Sequence, residues 1–208
     1  MKISILDSKG KSTGREVTLP KDIYAIEPNE HALYLDVKQY LANQRQGTHK
    51  AKERADITGS TRKIKKQKGT GTARAGSIKS GVFRGGGRIF GPRPRDYDVK
   101  LNKKLKKLAR KSALSLKAKE KAITIVEDFD FKTPKTKKFL DVLKALKIED
   151  KKSLLIFGKN NNVYLSSRNF KGSDVVTSSE VSTYKILNAK QLVMSESSLN
   201  SINENLSK

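Results

Sequence analysis

The chain has 208 residues, with 45 Lys and Arg against 21 Asp and Glu, so its formal net charge is +24. This charge favours a polyanionic partner, because without one the molecule repels itself. The absence of Cys excludes disulfides and thiolate metal sites, and the absence of Trp and of any apolar run near ~20 residues argues against a membrane partner. The N-terminal residues become charged too early for a secretory signal, and we therefore expect a cytoplasmic protein.

The first predicted elements precede residue 44. Residues 2–6, Lys-Ile-Ser-Ile-Leu, predict a strand. Asn29 is a suitable N-cap for a helix that we expect to end near Arg45. The apolar stripe of this helix consists of Leu33, Val37, Tyr40 and Leu41. The chain length is enough for one domain with a core, plus an appendage.

Residues 44–97, which we call the basic segment, differ from the rest of the chain. They hold 15 basic residues, three acidic ones and ten of the 14 glycines. No helical or alternating apolar pattern can be found among them, so we expect this segment to order only against a partner. A flexible linker is the alternative, but linkers are usually rich in Gly and Ser or in Pro, whereas here Arg and Lys alternate with Gly.

The basic segment is suited to binding structured RNA. As a hairpin, its two arms of about 27 residues each could reach up to ~80 Å at ~3.3 Å per residue. Lys and Arg neutralise phosphates, glycines let backbone N–H groups approach phosphate oxygens, and Arg can also stack on unpaired bases. Phe83 and Phe90 either offer further stacking surface or anchor the arm on the folded domain. The predicted RNA-binding residues are Arg45, Lys50, Arg54, Arg62, Lys63, Lys65, Lys66, Lys68, Arg74, Lys79, Arg84, Arg88, Arg93 and Arg95, together with Lys103 and Lys104 beyond the segment.

The chain after the basic segment predicts an α/β fold. A helix begins near residue 101 with an apolar face formed by Leu101, Leu105, Leu108, Ser112 and Leu116. Its remaining surface is basic, either as a solvated face or as an RNA contact. Short apolar strands at residues 122–126, 153–157, 174–177 and 191–194 alternate with helices, the last one capped by Ser195.

These elements predict a Rossmann-like, mostly parallel sheet with helices on both faces. Residues 1–43 and 98–208 would form this domain, and residues 44–97 a long extended basic loop inserted between two helices.

Motifs for ligand binding or catalysis are incomplete. Gly10 to Thr13 resembles the end of a P-loop, but the first glycine of that motif is replaced by Ile5. Gly69-Thr70-Gly71 begins a dinucleotide motif without its third glycine or a preceding strand. Neither the two histidines nor the acidic residues 127–130 assemble a metal or acid-base site, a solvated loop being favoured for the latter. We therefore expect no cofactor, no metal and no enzymatic activity.

Three stretches of sequence resemble the bacterial ribosomal protein L4 family. They are Arg45-Gln46-Gly47-Thr48, residues 67–80, and Pro92-Arg93-Pro94 leading to residues 100–104, and the similarity continues to Asn169. The resemblance implies a Rossmann-like domain that binds 23S rRNA, with a single copy in each large ribosomal subunit. It also implies a long loop whose tip lines the nascent-peptide exit tunnel beside ribosomal protein uL22 and meets the nascent polypeptide. Carried over by position, the tip consists of Lys66, Gln67, Lys68, Gly69, Thr70 and Gly71.

The sequence departs from the family pattern near this tip. Ile64-Lys65 stands where a Pro-Trp pair is common, and Thr72 stands where a basic residue is common. Lys68 aligns with a lysine that is linked to macrolide response in the family. These departures bear on the shape of the tip and on the response to macrolides.

Two other function classes compete with a structural rRNA-binding protein. A nucleotide-dependent RNA-modifying enzyme needs a ligand loop at the carboxyl end of a strand, which the sequence does not supply. A DNA-architectural protein would bind duplex DNA more tightly than large-subunit rRNA at the same salt concentration.

Overall fold

A computed structural model describes residues 1–158 and 161–207. The chain divides into two compact units, one formed by Met1–Leu41 with Lys100–Lys208 and the other by Ala42–Val99. The first unit contains a six-stranded sheet and the second contains the basic segment. Within the described residues, no helix is long and apolar enough to cross a membrane.

The sheet of the first unit is mixed. Its order is β2-β1-β3-β6-β4-β5, with β1 and β2 antiparallel and the four other pairings parallel. The strands are β1 (Lys2–Leu6), β2 (Ser12–Thr18), β3 (Ile123–Val126), β4 (Ser153–Phe157), β5 (Ser173–Thr177) and β6 (Gln191–Ser195). The α/β class predicted from the sequence is confirmed.

Seven helices accompany the strands in the described part of the chain. They are α1 (Lys21–Tyr24), α2 (Glu30–Asn43), α3 (Lys103–Lys119), α4 (Thr136–Ala145), α5 (Asn161–Ser167), α6 (Thr183–Asn188) and α7 (Glu196–Ser207). The predicted cap of α2 is present, because Asn29 Oδ1 accepts a 2.9 Å hydrogen bond from the Ala32 N–H. Ser195 Oγ likewise accepts from the Ser198 N–H, at 3.3 Å, at the start of α7.

Buried side chains cover both faces of the sheet. Every residue of β4 is buried, with Leu154 and Ile156 in one apolar cluster and Leu155 and Phe157 in the other. Such alternation follows from the period of two along a strand. The second cluster contains residues of α4 and α5, and the first contains residues of α1, α3, α6 and α7. A strand that is buried on both sides explains the continuous apolar run in its sequence.

Strand β2 was not predicted, and its antiparallel pairing makes the sheet only partly parallel. It lies at the edge of the sheet and most of its residues are exposed, so it has few apolar side chains to reveal it. Gly10, with φ +74°, lies in the turn between β1 and β2. A Cβ at this position would lie 2.2 Å from the Ala145 carbonyl oxygen, so the turn requires glycine. The P-loop resemblance at this glycine is therefore part of a β-hairpin turn.

Two predicted apolar stripes are wrong in part. Leu41 of α2 is 45% exposed, and Leu108 of α3 is 38% exposed. The buried part of α3 begins at Ala109 and includes Ser112 and Ser115. Ala and Ser are small enough to let a helix approach its neighbours closely. Ser112 belonged to the predicted face, whereas Ala109 and Ser115 did not.

Candidate nucleic-acid interface

The two arms of the basic segment are joined by backbone hydrogen bonds. The sequence midpoint of each bonded pair lies near Thr70, so the chain folds back on itself around that residue. No helix or strand lies between α2 and α3, and the bonds are isolated contacts rather than a continuous ladder. The pairs, donor first, are Arg95 N with Gly47 O (3.2 Å), Ala51 N with Pro92 O (3.0 Å), Arg88 N with Lys52 O (2.9 Å) and Ile64 N with Gly76 O (2.9 Å).

The basic segment has no hydrophobic core of its own. Ser77 and Gly87 are its only buried residues, and neither has a large apolar side chain. Phe90 is 97% exposed and Val82 is 85% exposed, whereas Phe83 is 38% exposed. An isolated two-armed hairpin without apolar burial is marginally stable in water. The exposure of Phe90 argues against its use as an anchor and leaves its ring free for stacking.

Two of the three acidic residues of the segment pair with its own cations. The Glu53 carboxylate accepts from Arg93 Nε at 2.5 Å, which joins one arm to the other. The Asp56 carboxylate lies 3.1 Å from Lys50 Nζ. The Lys50 ammonium, followed by the Glu53 N–H, holds the pKa of Asp56 below its usual value. Lys50 and Arg93, both predicted to bind RNA, thus already have a carboxylate partner.

The other predicted cations of the segment have no such partner. None of them forms an ion pair with a carboxylate of the described residues. Most are exposed, and the same holds for Lys103 and Lys104 in the first unit. The unpaired and exposed arginines and lysines are Arg45, Arg54, Arg62, Lys63, Lys66, Lys68, Arg74, Arg84, Arg88 and Arg95, whereas Lys65 and Lys79 are half-buried. The segment therefore presents a surface of cations that lack a counter-charge.

The region around Thr70 is the most open part of the segment. Residues 66–71 are all exposed. Gly69 and Gly71 have φ angles of +80° and +63°, and no atom lies within 4 Å of where a Cβ would stand at either one. These glycines are required by backbone conformation and not by crowding. Lys63 Nζ donates to Gln67 Oε1 at 2.5 Å on the first arm.

The ends of the segment are held more firmly. Asn43 Oδ1 accepts from the Val99 N–H at 3.0 Å, and Asn43 Nδ2 donates to the Val99 carbonyl at 3.4 Å. The guanidinium carbons of Arg45 and Arg95 lie 3.8 Å and 4.6 Å from the centroid of the Tyr97 ring. Both arginines were predicted from the sequence but Tyr97 was not, because its contact with Arg45 joins positions far apart in the chain and leaves no local pattern.

The acidic residues after β3 have structural partners. Glu127 forms an ion pair with Arg15. Asp128 accepts hydrogen bonds from the backbone N–H and the hydroxyl of Ser197, at 3.1 Å and 2.6 Å. Partial burial alone would raise the pKa of Asp128, but hydrogen bonds from Ser197 and Ser195 lower it. No group of three or more His, Cys, Asp or Glu in the described residues could hold a metal ion.

A cavity of about 800 Å³ lies at the carboxyl ends of β4 and β5, where α/β folds often bind ligands. Tyr40 and Tyr164 contribute to its lining. Its charged groups are engaged with neighbouring protein groups, because Asp174 pairs with Lys185 at 3.0 Å and Glu180 accepts from the Thr177 N–H at 3.1 Å. Each charged side chain among the described lining residues thus has a partner within the protein.

Comparison with known proteins identifies relatives along the whole chain. Residues 17–205 match the model of the Ribosomal protein L4/L1 family. The chain is 71% identical over 208 residues to "Large ribosomal subunit protein uL4" of Christiangramia forsetii, covering 100% of both chains. It is 68% identical to the protein of the same name from Flavobacterium johnsoniae, again over 100% of both chains. The protein of that name from Bacteroides fragilis is 59% identical, over 97% of this chain and 98% of the relative.

Proposed function

The chain belongs to the Ribosomal protein L4/L1 family and is a protein of the large ribosomal subunit, and we propose that its basic segment binds 23S rRNA. The single observation that carries this proposal is the surface of exposed cations without a carboxylate partner on a segment that has no apolar core. Such a surface is stabilised by a polyanion that surrounds it, because phosphates supply the missing counter-charge.

We assign a different role to each of two regions of the chain. Residues 1–43 and 98–208 form a Rossmann-like body, and residues 44–97 form a long loop that penetrates rRNA. The cations of the loop give affinity and position, and they read little sequence, because phosphate contacts carry no sequence information. Lys103 and Lys104, exposed at the start of α3, add phosphate contacts outside the loop.

The tip of the loop has a further proposed role. Residues 66–71 line the nascent-peptide exit tunnel near ribosomal protein uL22 and face the nascent polypeptide. Support comes from the family resemblance of residues 67–80 and from the exposure of the whole tip. The glycines at positions 69 and 71 keep the tip narrow, since no side chain projects from them. The protein acts as a single structural copy in the subunit, without catalysis, in the cytoplasm.

A competition experiment tests the proposal. Fragments of 23S rRNA and duplex DNA of equal charge compete for the full-length protein at several matched salt concentrations. We expect tighter retention on rRNA at each of them, with an affinity that falls steeply as salt rises. Tighter retention on DNA would favour a DNA-architectural protein, and micromolar binding of ATP or S-adenosylmethionine would favour an RNA-modifying enzyme.

A further inference from the structure

Two arginines share one aromatic ring at the ends of the basic segment. The Arg45 guanidinium lies 3.8 Å from the Tyr97 centroid, close enough to contact the ring, and that of Arg95 lies 4.6 Å away. Arg45 and Arg95 lie on opposite arms, one before and one after the hairpin turn. The Tyr97 ring therefore lies within cation–π distance of one guanidinium from each arm.

Backbone geometry within the basic segment brings these side chains together. Gly47 has φ +65°, and its carbonyl accepts from the Arg95 N–H at 3.2 Å. A Cβ at position 47 would lie 1.9 Å from the Arg95 carbonyl oxygen and 3.1 Å from the Tyr97 ring. The two hydrogen bonds between Asn43 and Val99 close the arms just beyond this point. The arrangement thus depends on a glycine at position 47.

No carboxylate neutralises the two guanidiniums. Neither Arg45 nor Arg95 forms an ion pair within residues 1–158 and 161–207, although Asp96 is next to Arg95 in sequence. Arg93, only two residues from Arg95, does pair with Glu53. The Glu53 carboxylate therefore joins the two arms, whereas the two arginines at the ring have no carboxylate partner among the described residues.

We propose that Arg45, Arg95 and Tyr97 form a preorganised clamp for an rRNA phosphate group. A guanidinium that stacks its face on a ring keeps its N–H edge free, and this edge matches a phosphate bidentately. Two such edges fixed by one ring bind a phosphate with less loss of side-chain entropy than two freely rotating arginines. The clamp gives the basic segment one geometrically defined contact among many diffuse ones. This inference rests on the proposed rRNA binding.

The test compares two double variants with the same charge as the wild type. R45K/R95K replaces both guanidiniums at the Tyr97 ring by ammonium groups. The matched variant R62K/R74K replaces two exposed arginines that contact no ring in the described residues. Binding of the full-length proteins to 23S rRNA is measured at one salt concentration, with thermal unfolding as the check on folding. We expect R45K/R95K to bind about tenfold more weakly, as for the loss of one charge-assisted hydrogen bond, and R62K/R74K about twofold more weakly.

A second pair of variants tests the ring. Tyr97→Leu keeps both charges but removes the aromatic face, and it should lose about as much affinity as R45K/R95K. Tyr97→Phe should recover most of this affinity, because stacking does not need the hydroxyl. Equal losses for R45K/R95K and R62K/R74K, or full affinity for Tyr97→Leu, would overturn the clamp while leaving rRNA binding in place.

Two further measurements, competition with duplex DNA and incorporation into the large subunit, distinguish failure of the clamp from failure of the proposed function. If the wild-type protein does not prefer 23S rRNA over duplex DNA, the proposed function itself fails. If R45K/R95K binds rRNA like the wild type but enters the large subunit poorly in the presence of other subunit proteins, the two arginines bind a protein carboxylate. That outcome would also overturn the phosphate clamp.

Discussion

Lys65 Nζ donates a 2.7 Å hydrogen bond to Thr72 Oγ1 across the two arms of the basic segment, just before the arms meet at the tip. At both positions the resemblance to the family implies a different residue. The hydrogen bond links the two departures, since one supplies the donor and the other the acceptor. The tip of this chain is thus closed by a polar contact between side chains.

Replacement of Thr72 by Val should loosen the tip. The change removes the acceptor of Lys65 and keeps the shape of the side chain, so we expect faster amide hydrogen exchange at residues 64–76 in the free protein. The effect on the free energy of unfolding of the first unit should be negligible, because the bond is exposed. Thr61→Val is the matched control, since the Thr61 side chain is exposed and has no hydrogen bond within the described residues. Unchanged exchange in Thr72→Val would show that this bond does not order the tip.

Deletion of residues 60–76 should weaken rRNA binding without unfolding the body. The deletion removes six cations, namely Arg62, Lys63, Lys65, Lys66, Lys68 and Arg74. Each phosphate contact contributes roughly 0.7–0.9 to the slope of log affinity against log salt, so the slope should become shallower by several units. Filter binding over a salt series measures this slope, and circular dichroism follows the unfolding of the deletion variant. Loss of cooperative unfolding in the deletion variant would mean that the segment belongs to the core of the fold.

Truncation of Phe90 should weaken binding to single-stranded regions of rRNA. The ring is 97% exposed, so Phe90→Ala should leave the melting temperature unchanged. A base stacked on an aromatic ring contributes about 1–3 kcal/mol, which predicts at least a fivefold loss of affinity. Phe90→Tyr should retain most of the affinity, because it keeps the ring. Equal affinity for Phe90→Ala and the wild type would rule out stacking at this position.

The pH dependence of stability should report on Asp128. Hydrogen bonds from Ser197 and Ser195 hold its folded-state pKa below the usual value, even though burial opposes them. The unfolded chain therefore binds the proton more tightly, and the contribution of Asp128 is present above about pH 4 and is lost as the pH falls through the folded-state pKa. Asp128→Asn should flatten the acid limb of the stability curve, which is the fall in the free energy of unfolding as the pH is lowered.

The matched control for this pH effect is Asp141→Asn on α4, where the carboxylate is exposed and has no partner in the described residues. Its acid limb should follow that of the wild type. An acid limb in Asp128→Asn as steep as that of the wild type would assign the effect to another carboxylate.

The elements found from the sequence were those with strong local patterns. Strand β4 was predicted with its observed bounds, because burial on both faces makes all of its residues apolar or small. Strand β2 was missed, because an exposed edge strand needs almost no apolar residues. In α3 the spacing of leucines pointed to Leu108, whereas packing uses the small residues from Ala109 onward.

In the candidate interface, too, local features could be predicted from the sequence and long-range contacts could not. The cations of the basic segment could be named from composition alone, since charge and glycine content are local properties. The partners of Arg45 and Arg93 could not, because each lies on the opposite arm and depends on how the two arms pair. Tyr97 was therefore not singled out, although it contacts two of the predicted arginines.

A crosslinking map of this protein in purified large ribosomal subunits tests the central claim most directly. We expect crosslinks to 23S rRNA at many positions of residues 44–97, with those of residues 66–71 next to the exit tunnel. Crosslinks confined to residues 1–43 and 98–208, with the basic segment free of RNA, would contradict the account.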